Sequence, residues 1–262
     1  MPSAYAHHKL GVNVKAVLPE ELRKIIDEKP DNFELGLHGP DPLFFYKPFK
    51  KNPVNAQADD MHNAYASEFF RPAKELYLFR GKRTEDLSYL FGFLCHFALD
   101  SEGHPYVYGK QAKSNVSHSE VESAFDRELM LDDGVDPFRR KTTADIRPTE
   151  EVYTVAAAYF RINDKAAKKS VKSFKFYSRL MQTKNGFVRG IMDFILKLSG
   201  NYDRMHGLLM PKENDDRFLD SNGDLKAALA KATDKAVELI VNYDRFLKDE
   251  EALSVKLDRN FE

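Results

Sequence analysis

A chain of 262 residues can bury a substantial core, and 42% hydrophobic with 31% charged residues is the balance of a folded rather than a disordered protein. The 40 Lys and Arg against 41 Asp and Glu leave a formal net charge of -1, which speaks against a nucleic-acid binder dominated by phosphate contacts. Cys95 is the only cysteine, so an intrachain disulfide and a thiolate-rich zinc site are excluded, and any metal would need nitrogen and oxygen ligands.

Two further features bear on membranes and export. The longest apolar stretch, residues 89–99, is far shorter than the roughly 20 residues of a membrane-spanning helix, so it is expected to form a buried helix. The first eight residues lack the apolar stretch of a secretory signal. We therefore expect a cytoplasmic protein without a transmembrane segment, or a secreted one whose leader has been removed.

The first elements in chain order alternate between clear and interrupted helical patterns. Pro19 at a first-turn position, followed by two glutamates and helically spaced apolar residues, predicts a short helix that ends before Pro30. Prolines and glycines then predict a long ordered surface loop from Gly36 to Pro53. Helical spacing returns over residues 57–79, where Pro72 should kink or divide the helix.

The next segment predicts two consecutive helices. Residues 84–100 open with Thr84 as a hydroxyl cap and two acids in the first turn, and continue with apolar residues at helical spacing. Ser114 or Ser117 could cap a second helix that runs to about Met130. The Asp- and Gly-containing run at 132–137 should end it.

The remainder also has helical periodicity, over 149–199 and 223–248, with breaks near 201 and at 214–223. There is no internal repeat, no low-complexity linker and no alternating strand pattern. These observations predict one all-α, multi-helix domain over 1–262, with a metal-ligand half at 1–131 and a helical completion at 132–262.

Ligand-type residues concentrate between residues 96 and 122. His96 and Asp100, four residues apart on the predicted helix, lie one turn apart on the same face and can hold one cation. His118 and Glu122 repeat this spacing on the next helix. A turn around His104 could direct its imidazole toward both pairs. The five side chains therefore predict a metal cleft between helices.

A salt-bridged surface pair is the more common explanation of either pair taken alone, whereas two pairs plus a third histidine favour metal binding. His96 lies in an apolar segment, where a carboxylate such as Asp100 is costly to bury unless it is paired or bound to metal. Imidazole and carboxylate ligands suit zinc best, and manganese or iron less well.

The sequence lacks the motifs of several other enzyme classes. No His-Asp dipeptide of an HD-type phosphohydrolase occurs, and no His-Glu-x-x-His of a zincin. A Gly-x-x-x-x-Gly-Lys phosphate loop and a Gly-x-Gly-x-x-Gly fingerprint are also missing from the sequence, so nucleotide-driven chemistry is not expected.

The ligand order resembles the hallmark of the zinc-dependent phospholipase C family: His-x-x-x-Asp, a further His, then His-x-x-x-Glu. The likeness extends to Ala-His-His-Lys-Leu-Gly at 6–11, Gly-Pro-Asp-Pro-Leu-Phe-Phe at 39–45 and Phe-Leu-Cys-His-Phe-Ala-Leu-Asp-Ser at 93–101. It covers roughly the first half of the chain.

The resemblance implies the ligands of individual zinc ions. The first zinc would be held by Asp41, His62, His96 and Asp100, and the second by His104, His118 and Glu122. A third zinc in the family uses an N-terminal histidine, an aspartate bridging to the first zinc, and the terminal amine and carbonyl of the chain.

For the third zinc, the matching residues are His7, with His8 as the alternative, and Asp100 as the bridge. The family's mature enzymes begin with tryptophan, whereas this chain has none and begins Met1-Pro2. His38 and His206 are expected to support the ligands or to lie at the surface.

The resemblance implies hydrolysis of a phospholipid to diacylglycerol and a phosphorylated head group, with Asp41 orienting or deprotonating the attacking water. Single-strand nucleases of the same superfamily share the ligand set, so nuclease or other phosphoesterase activity is an alternative, which the near-neutral charge disfavours. A non-catalytic metal-binding or membrane-associated protein is another. Five lysines in 165–175 and the apolar run 186–196 could contact an anionic membrane, although a solvated helix face and a core segment are favoured.

Overall fold

The structure, a computed structural model, describes residues 4–198 and 202–262, and every regular element within them is helical. The predicted all-α fold is confirmed. In chain order the helices are α1 (Ala4–Val17), α2 (Glu20–Glu28), α3 (Pro30–Gly36), α4 (Asp41–Phe44), α5 (Pro53–Asn63), α6 (Ala66–Phe79), α7 (Thr84–Lys113), α8 (His118–Asp132), α9 (Glu150–Phe160), α10 (Asp164–Met181), α11 (Gly186–Leu198), α12 (Tyr202–Met205) and α13 (Leu219–Leu247). Short 3₁₀ turns occupy His206–Leu208, Asp216–Phe218 and Val255–Leu257.

Helix α7 is the centre of the fold, and every residue from Glu85 to Ser101 is buried. Its contact with α3 depends on two glycines. A Cβ on Gly92 would lie 2.2 Å from the carbonyl oxygen of Phe33, and one on Gly36 would lie 2.2 Å from that of Tyr89. The two backbones can therefore touch only because neither position carries a side chain.

Helix α13 covers another side of α7 with an apolar stripe at helical spacing. Ala232 and Ala236 in this stripe are fully buried, and such small residues let the two helices approach closely. Further along, the Tyr243 hydroxyl donates a hydrogen bond to the carbonyl oxygen of Phe70 at 3.0 Å. This bond satisfies the one polar atom of a large buried ring.

The predicted turn around His104 is wrong, because α7 continues through it to Lys113. Pro105 lies on the exposed side of the helix, where solvent can satisfy the carbonyl that loses its amide partner. Thr84 is the first helical residue rather than the cap, and Arg83 precedes it without a side-chain capping bond. His104 consequently lies one helical turn after Asp100 rather than on a separate loop.

The predicted surface loop from Gly36 to Pro53 is also wrong in its first half. Residues 37–45 are buried and include the short helix α4. Phe45 packs against Phe174 of α10 with 5.2 Å between ring centroids, so apolar side chains pull this segment inward despite its turn-forming residues. Only the stretch after Phe45 forms turns at the surface, before Asn52 caps α5.

Other boundaries follow the sequence in part. The α2 helix ends before Pro30 as predicted, and Ser117, not Ser114, caps α8. Pro72 lies inside α6, and the break between helices falls before it, at residues 64–65. Residues 222–223 lie inside α13, so the predicted break there is wrong, and the one near 201 lies outside the described residues.

The apolar run 186–196 forms most of α11, but its assignment to the core is wrong. Only Met192 and Leu196 of this helix are buried. The lysine-rich segment forms the expected solvated face of α10, except that Lys168 and Lys175 are partly buried. Lys168 pairs with Glu150, and Lys175 donates to the carbonyl oxygen of Thr143 at 2.9 Å. Across the described residues, no helix has both the length and the apolar character needed to cross a membrane.

Candidate metal centre

Helix α7 contributes three ligand-type side chains from consecutive turns. His96, Asp100 and His104 are each four residues apart, so they stack along one face of the helix. His96 Nε2 lies 3.1 Å from Asp100 Oδ2. All three are buried, at a position where an unpaired carboxylate would be costly.

Helix α8 adds a second pair beside His104. His118 is its first residue, and His118 Nε2 lies 3.1 Å from Glu122 Oε1. The helix start is fixed by a capping box, in which Glu120 Oε2 accepts from the backbone N–H of Ser117 at 2.7 Å. His104 Nε2 lies 3.8 Å from Glu122 Oε1, so the two helices bring together a group of three.

Asp41 and His62 come from the segment before α7. The buried α4 presents Asp41, and the last turn of α5 presents His62. His62 Nε2 lies 3.4 Å from Asp41 Oδ1 and 3.6 Å from Asp100 Oδ2. Gly39 lets the segment before Asp41 pack against α7, because at its φ of 43° a Cβ would lie 2.2 Å from the His96 ring.

Of the two N-terminal histidines, the structure brings His7 to the cluster. His7 Nε2 lies 3.3 Å from Asp100 Oδ1. His8 instead lies beside other carboxylates, with Nδ1 2.9 Å from Glu34 Oε1 and Nε2 3.5 Å from Asp145 Oδ2. The terminal amine and carbonyl expected for a third zinc belong to residues 1–3, which lie outside the described residues.

The predicted site residues therefore meet in three overlapping groups with ligand atoms within 4.8 Å of one another: His7, His96 and Asp100; Asp41, His62 and His96; and His104, His118 and Glu122. Several buried nitrogens in these groups have no hydrogen-bond partner within the described part of the chain, among them Nε2 of His62, His96, His104 and His118. Such groups are rare in folded interiors, and a divalent cation would satisfy them.

Hydrogen bonds on the far side of two rings orient their free nitrogens. His62 Nδ1 lies 2.7 Å from the carbonyl oxygen of Ala58, and His104 Nδ1 lies 2.8 Å from that of Phe261. A carbonyl can only accept, so each Nδ1 must carry the proton and donate it. Nε2 is then the lone-pair atom in the neutral ring, as a metal ligand requires.

Burial and charge perturb the cluster strongly. Burial lowers the pKa of His96 to about 3, so this ring is neutral at physiological pH. Burial also disfavours a charged His62, but the carboxylates of Asp100 and Asp41 overcome this and raise its pKa to about 10. Burial opposes ionisation of Asp100, yet the positive charges that His96 and His104 can carry hold its pKa well below the usual range. The carboxylates therefore require positive charge nearby, which a proton on His62 or a bound metal ion would supply.

Sequence reasoning missed a residue that holds the start of the chain. Asp126 accepts hydrogen bonds from the backbone N–H groups of Tyr5 and Ala6 at 3.1 and 2.9 Å, directly before His7. It lies one turn after Glu122 on α8, so the spacing that identified His118 and Glu122 could have been extended by one more turn.

Of the remaining histidines, His38 is fully buried, with its ring centroid 6.2 Å from that of His7. Burial holds its pKa well below the ordinary value, so it is a neutral group packed beside the ligands. His206 lies at the surface, with Nε2 3.4 Å from Asp193 Oδ1. Neither residue belongs to the three groups of ligand-type side chains described above.

A cleft of about 310 Å³ opens beside the ligand groups. His62, His104 and His118 form part of its wall, together with the aromatic rings of Phe44 and Tyr108. Among the described lining residues there is no lysine or arginine. A substrate in this cleft would therefore meet histidines, aromatic rings and carboxylates.

The fold and this cluster together define an all-helical protein with a buried imidazole and carboxylate centre suited to divalent metal. A family model described as zinc dependent phospholipase C matches residues 6–194. The chain belongs to the zinc-dependent phospholipase C family, and the match extends well past the first half to which the quoted motifs point. No curated protein and no solved structure matches the chain.

Proposed function

We propose that the protein is a zinc-dependent phosphodiesterase that hydrolyses phospholipids to diacylglycerol and a phosphorylated head group. The observation that supports this most strongly is the set of buried, unpartnered imidazole nitrogens grouped with carboxylates beside an open cleft. The ligand assignment remains the one predicted: Asp41, His62, His96 and Asp100 for one ion, His104, His118 and Glu122 for a second, and His7 with Asp100 for a third.

Charge supports an anionic substrate. Zinc ions bound there would supply Lewis acidity, attracting a phosphodiester, polarising its phosphorus and acidifying an attacking water. The three carboxylates, Asp41, Asp100 and Glu122, would offset half of the six charges of three divalent ions. The cleft would then be positive without any lysine or arginine in its wall.

The chain's own residues would hold the reacting groups in place. In this proposal Asp41 also orients the attacking water and accepts its proton, since its buried Oδ1 has no hydrogen-bond partner within the described residues. The carbonyl oxygens of Ala58 and Phe261 keep His62 and His104 in the ligand tautomer. Phe44 and Tyr108 would contact the less polar part of the substrate.

The lining of the cleft favours phospholipid over nucleic acid. Single-strand binding proteins combine stacking rings with a basic groove that follows the phosphates. Here Phe44 and Tyr108 are present, whereas the acids Asp59 and Glu262 occupy positions at the cleft where such a groove would have basic residues. Nuclease activity is therefore the weaker alternative, and a direct comparison of substrates tests it.

Metal analysis together with turnover of three substrates tests the proposal. The zinc-loaded protein should hydrolyse phosphatidylcholine faster than single-stranded DNA, and should also cleave bis(4-nitrophenyl) phosphate. His118→Ala should abolish turnover of all three and retain its helical circular dichroism, because the ligand lies at the start of α8 rather than in the apolar core. Full activity of His118→Ala at saturating zinc would contradict its assigned role.

A further inference from the structure

Helix α11 presents a continuous apolar face to solvent. Phe187 is 78% exposed and Phe194 67%, and both lie on the side of the helix that faces away from the protein. The exposed apolar residues follow the spacing i, i+4, i+7, i+8 and i+11: Phe187, Ile191, Phe194, Ile195 and Leu198. This spacing is that of a single helix face, so the exposure is an organised surface rather than isolated residues.

The opposite side of α11 holds the helix in place. Met192 and Leu196 are buried in a small apolar cluster that is separate from the main core. Its other buried members are Met181, Met205 and Leu209. The helix is therefore apolar on two faces, and only one of them has an intramolecular partner within the described residues.

The surrounding segment carries a strong positive charge in a chain that is otherwise balanced. Residues 165–198 contain nine lysines and arginines and a single acid, Asp193, which lies beside His206. Lys184, just before α11, and Lys197, in its last turn, are both exposed. An exposed apolar face flanked by basic residues is the combination that binds the surface of an anionic bilayer.

We propose that α11 docks the protein on anionic phospholipid membranes. Its outward apolar face enters the boundary between head groups and acyl chains, and Lys184 and Lys197 contact anionic head groups. A helix of 13 residues spans only about 20 Å, so it lies in the plane of the membrane rather than crossing it.

The position of α11 connects this surface with the cleft. Its apolar cluster includes Met205 and Leu209, which flank the 3₁₀ turn His206–Leu208. Within that turn, a Cβ on Gly207 would lie 2.5 Å from Ser117 Oγ and 2.7 Å from the amide nitrogen of Glu120. The docking helix is thus supported on the capped end of α8 that carries His118. This link to lipid turnover rests on the proposed function.

Vesicle binding tests the surface without requiring any turnover. Co-sedimentation would be measured with vesicles of phosphatidylcholine alone and of phosphatidylcholine mixed with phosphatidylglycerol. The double variant Phe187→Ser, Phe194→Ser should bind the mixed vesicles at least about tenfold more weakly than the unchanged protein. Phe79→Ser is the matched control, because Phe79 is 88% exposed on α6 and lies outside the surface. It should bind normally.

A second variant tests the charge. Lys184→Gln and Lys197→Gln together should weaken binding to the mixed vesicles by roughly tenfold, and added salt should do the same. Binding to vesicles of phosphatidylcholine alone should change little, because the apolar face is intact. Equal loss on both kinds of vesicle would contradict the assigned electrostatic contact.

Turnover separates this proposal from the catalytic one. The phenylalanine double variant should retain cleavage of bis(4-nitrophenyl) phosphate, a water-soluble substrate, and lose hydrolysis of vesicle lipid. Normal vesicle binding by this variant, or no binding by the unchanged protein, overturns the docking proposal even if soluble substrate is cleaved. A third outcome would also overturn the docking proposal: the unchanged protein forms dimers and does not bind vesicles, and the double variant is monomeric. The apolar face would then be a contact between two copies of the chain. Vesicle binding without any zinc-dependent turnover would leave docking in place and contradict the proposed function.

Discussion

Helices α7 and α8 bury polar side chains, whereas α11 exposes apolar ones, so the two regions differ from the usual pattern of burial in opposite ways. Around α7 and α8, the histidines and carboxylates His96, Asp100, His104 and Glu122 are buried among apolar side chains. In α11, large apolar side chains remain in solvent while a small cluster anchors the helix. Folding alone favours neither arrangement, since buried charge and exposed apolar area both cost free energy. In our proposals each region is arranged for a partner outside the chain, metal ions in one case and a membrane in the other.

The largest expected effect is on the buried side of this comparison. Asp100→Asn should reduce phosphodiester turnover by at least about a thousandfold, because Asp100 lies beside His7, His62 and His96 and would serve two ions. Steady-state turnover of bis(4-nitrophenyl) phosphate measures it. Asp27→Asn, at an exposed acid of α2, is the control and should keep normal turnover. If Asp100→Asn retained more than a tenth of the activity, the shared-ligand assignment would be wrong.

The second prediction concerns the close contact between α3 and α7, the helix that carries three of the buried ligand-type residues. Gly92→Ala should lower the free energy of unfolding by about 1 to 3 kcal/mol, because the new methyl group meets the backbone of Phe33 rather than a movable side chain. Gly109→Ala on the same helix has nothing within 4 Å and should be neutral or slightly stabilising. Denaturant unfolding of both variants decides the matter, and equal stability would contradict the tight crossing.

Positioning of His7 can be separated from its chemistry. Asp126→Asn should weaken binding of the third metal ion about 10- to 100-fold, because it disturbs the hydrogen bonds that fix the backbone before His7. Binding of the first two ions should persist. Isothermal titration calorimetry with the metal measures this. Asp132→Asn is the control, because Asp132 lies on the same helix and pairs with Lys226 instead. Loss of all ions alike would mean that Asp126 supports the fold rather than His7.

The pH dependence of zinc uptake should distinguish two histidines of one group. Zinc binds neutral imidazole, so a ring that is protonated in the metal-free protein must release its proton. The pKa of His62 is raised to about 10, whereas that of His96 is lowered to about 3. Between pH 7 and 9 the affinity should therefore rise with pH, by up to about tenfold per unit from His62 and not at all from His96.

Competition with a chelator at several pH values measures how the zinc affinity changes with pH. His62→Asn should reduce the number of protons released on zinc binding by one. His38→Asn is a suitable comparison, since His38 is buried beside the cluster but is not a predicted ligand. An affinity for zinc that does not change with pH would contradict the combination of a raised pKa and a ligand role for His62.

The sequence was informative where the signal is local. The pairs His96 and Asp100, and His118 and Glu122, are one helical turn apart, and this spacing brings them together whatever the rest of the fold does. The cap of α8 is equally local, and Ser117 is one of the two caps that the sequence predicts, Ser114 being the other. Asp41, His62 and His7 came only from the family resemblance, because segments distant in sequence bring them to α7.

Predictions that depended on long-range packing were the ones that failed. Pro105 suggested a turn, but its place on the exposed side of α7 lets the helix continue. Residues 37–45 have turn-forming composition, yet Phe45 packs against Phe174 and draws the segment inward. The α11 helix is apolar enough for a core, and only the packing of Met192 and Leu196 shows which face remains outside.

The most direct test of the account is a crystal structure of the zinc-loaded protein with anomalous scattering at the zinc edge. Two strong peaks should appear about 2.0 to 2.2 Å from the ligand atoms, one among Asp41, His62, His96 and Asp100 and one among His104, His118 and Glu122. A third peak beside His7 and Asp100 would extend the same centre. Zinc bound elsewhere, with Nε2 of His62, His96, His104 and His118 uncoordinated, would contradict the account.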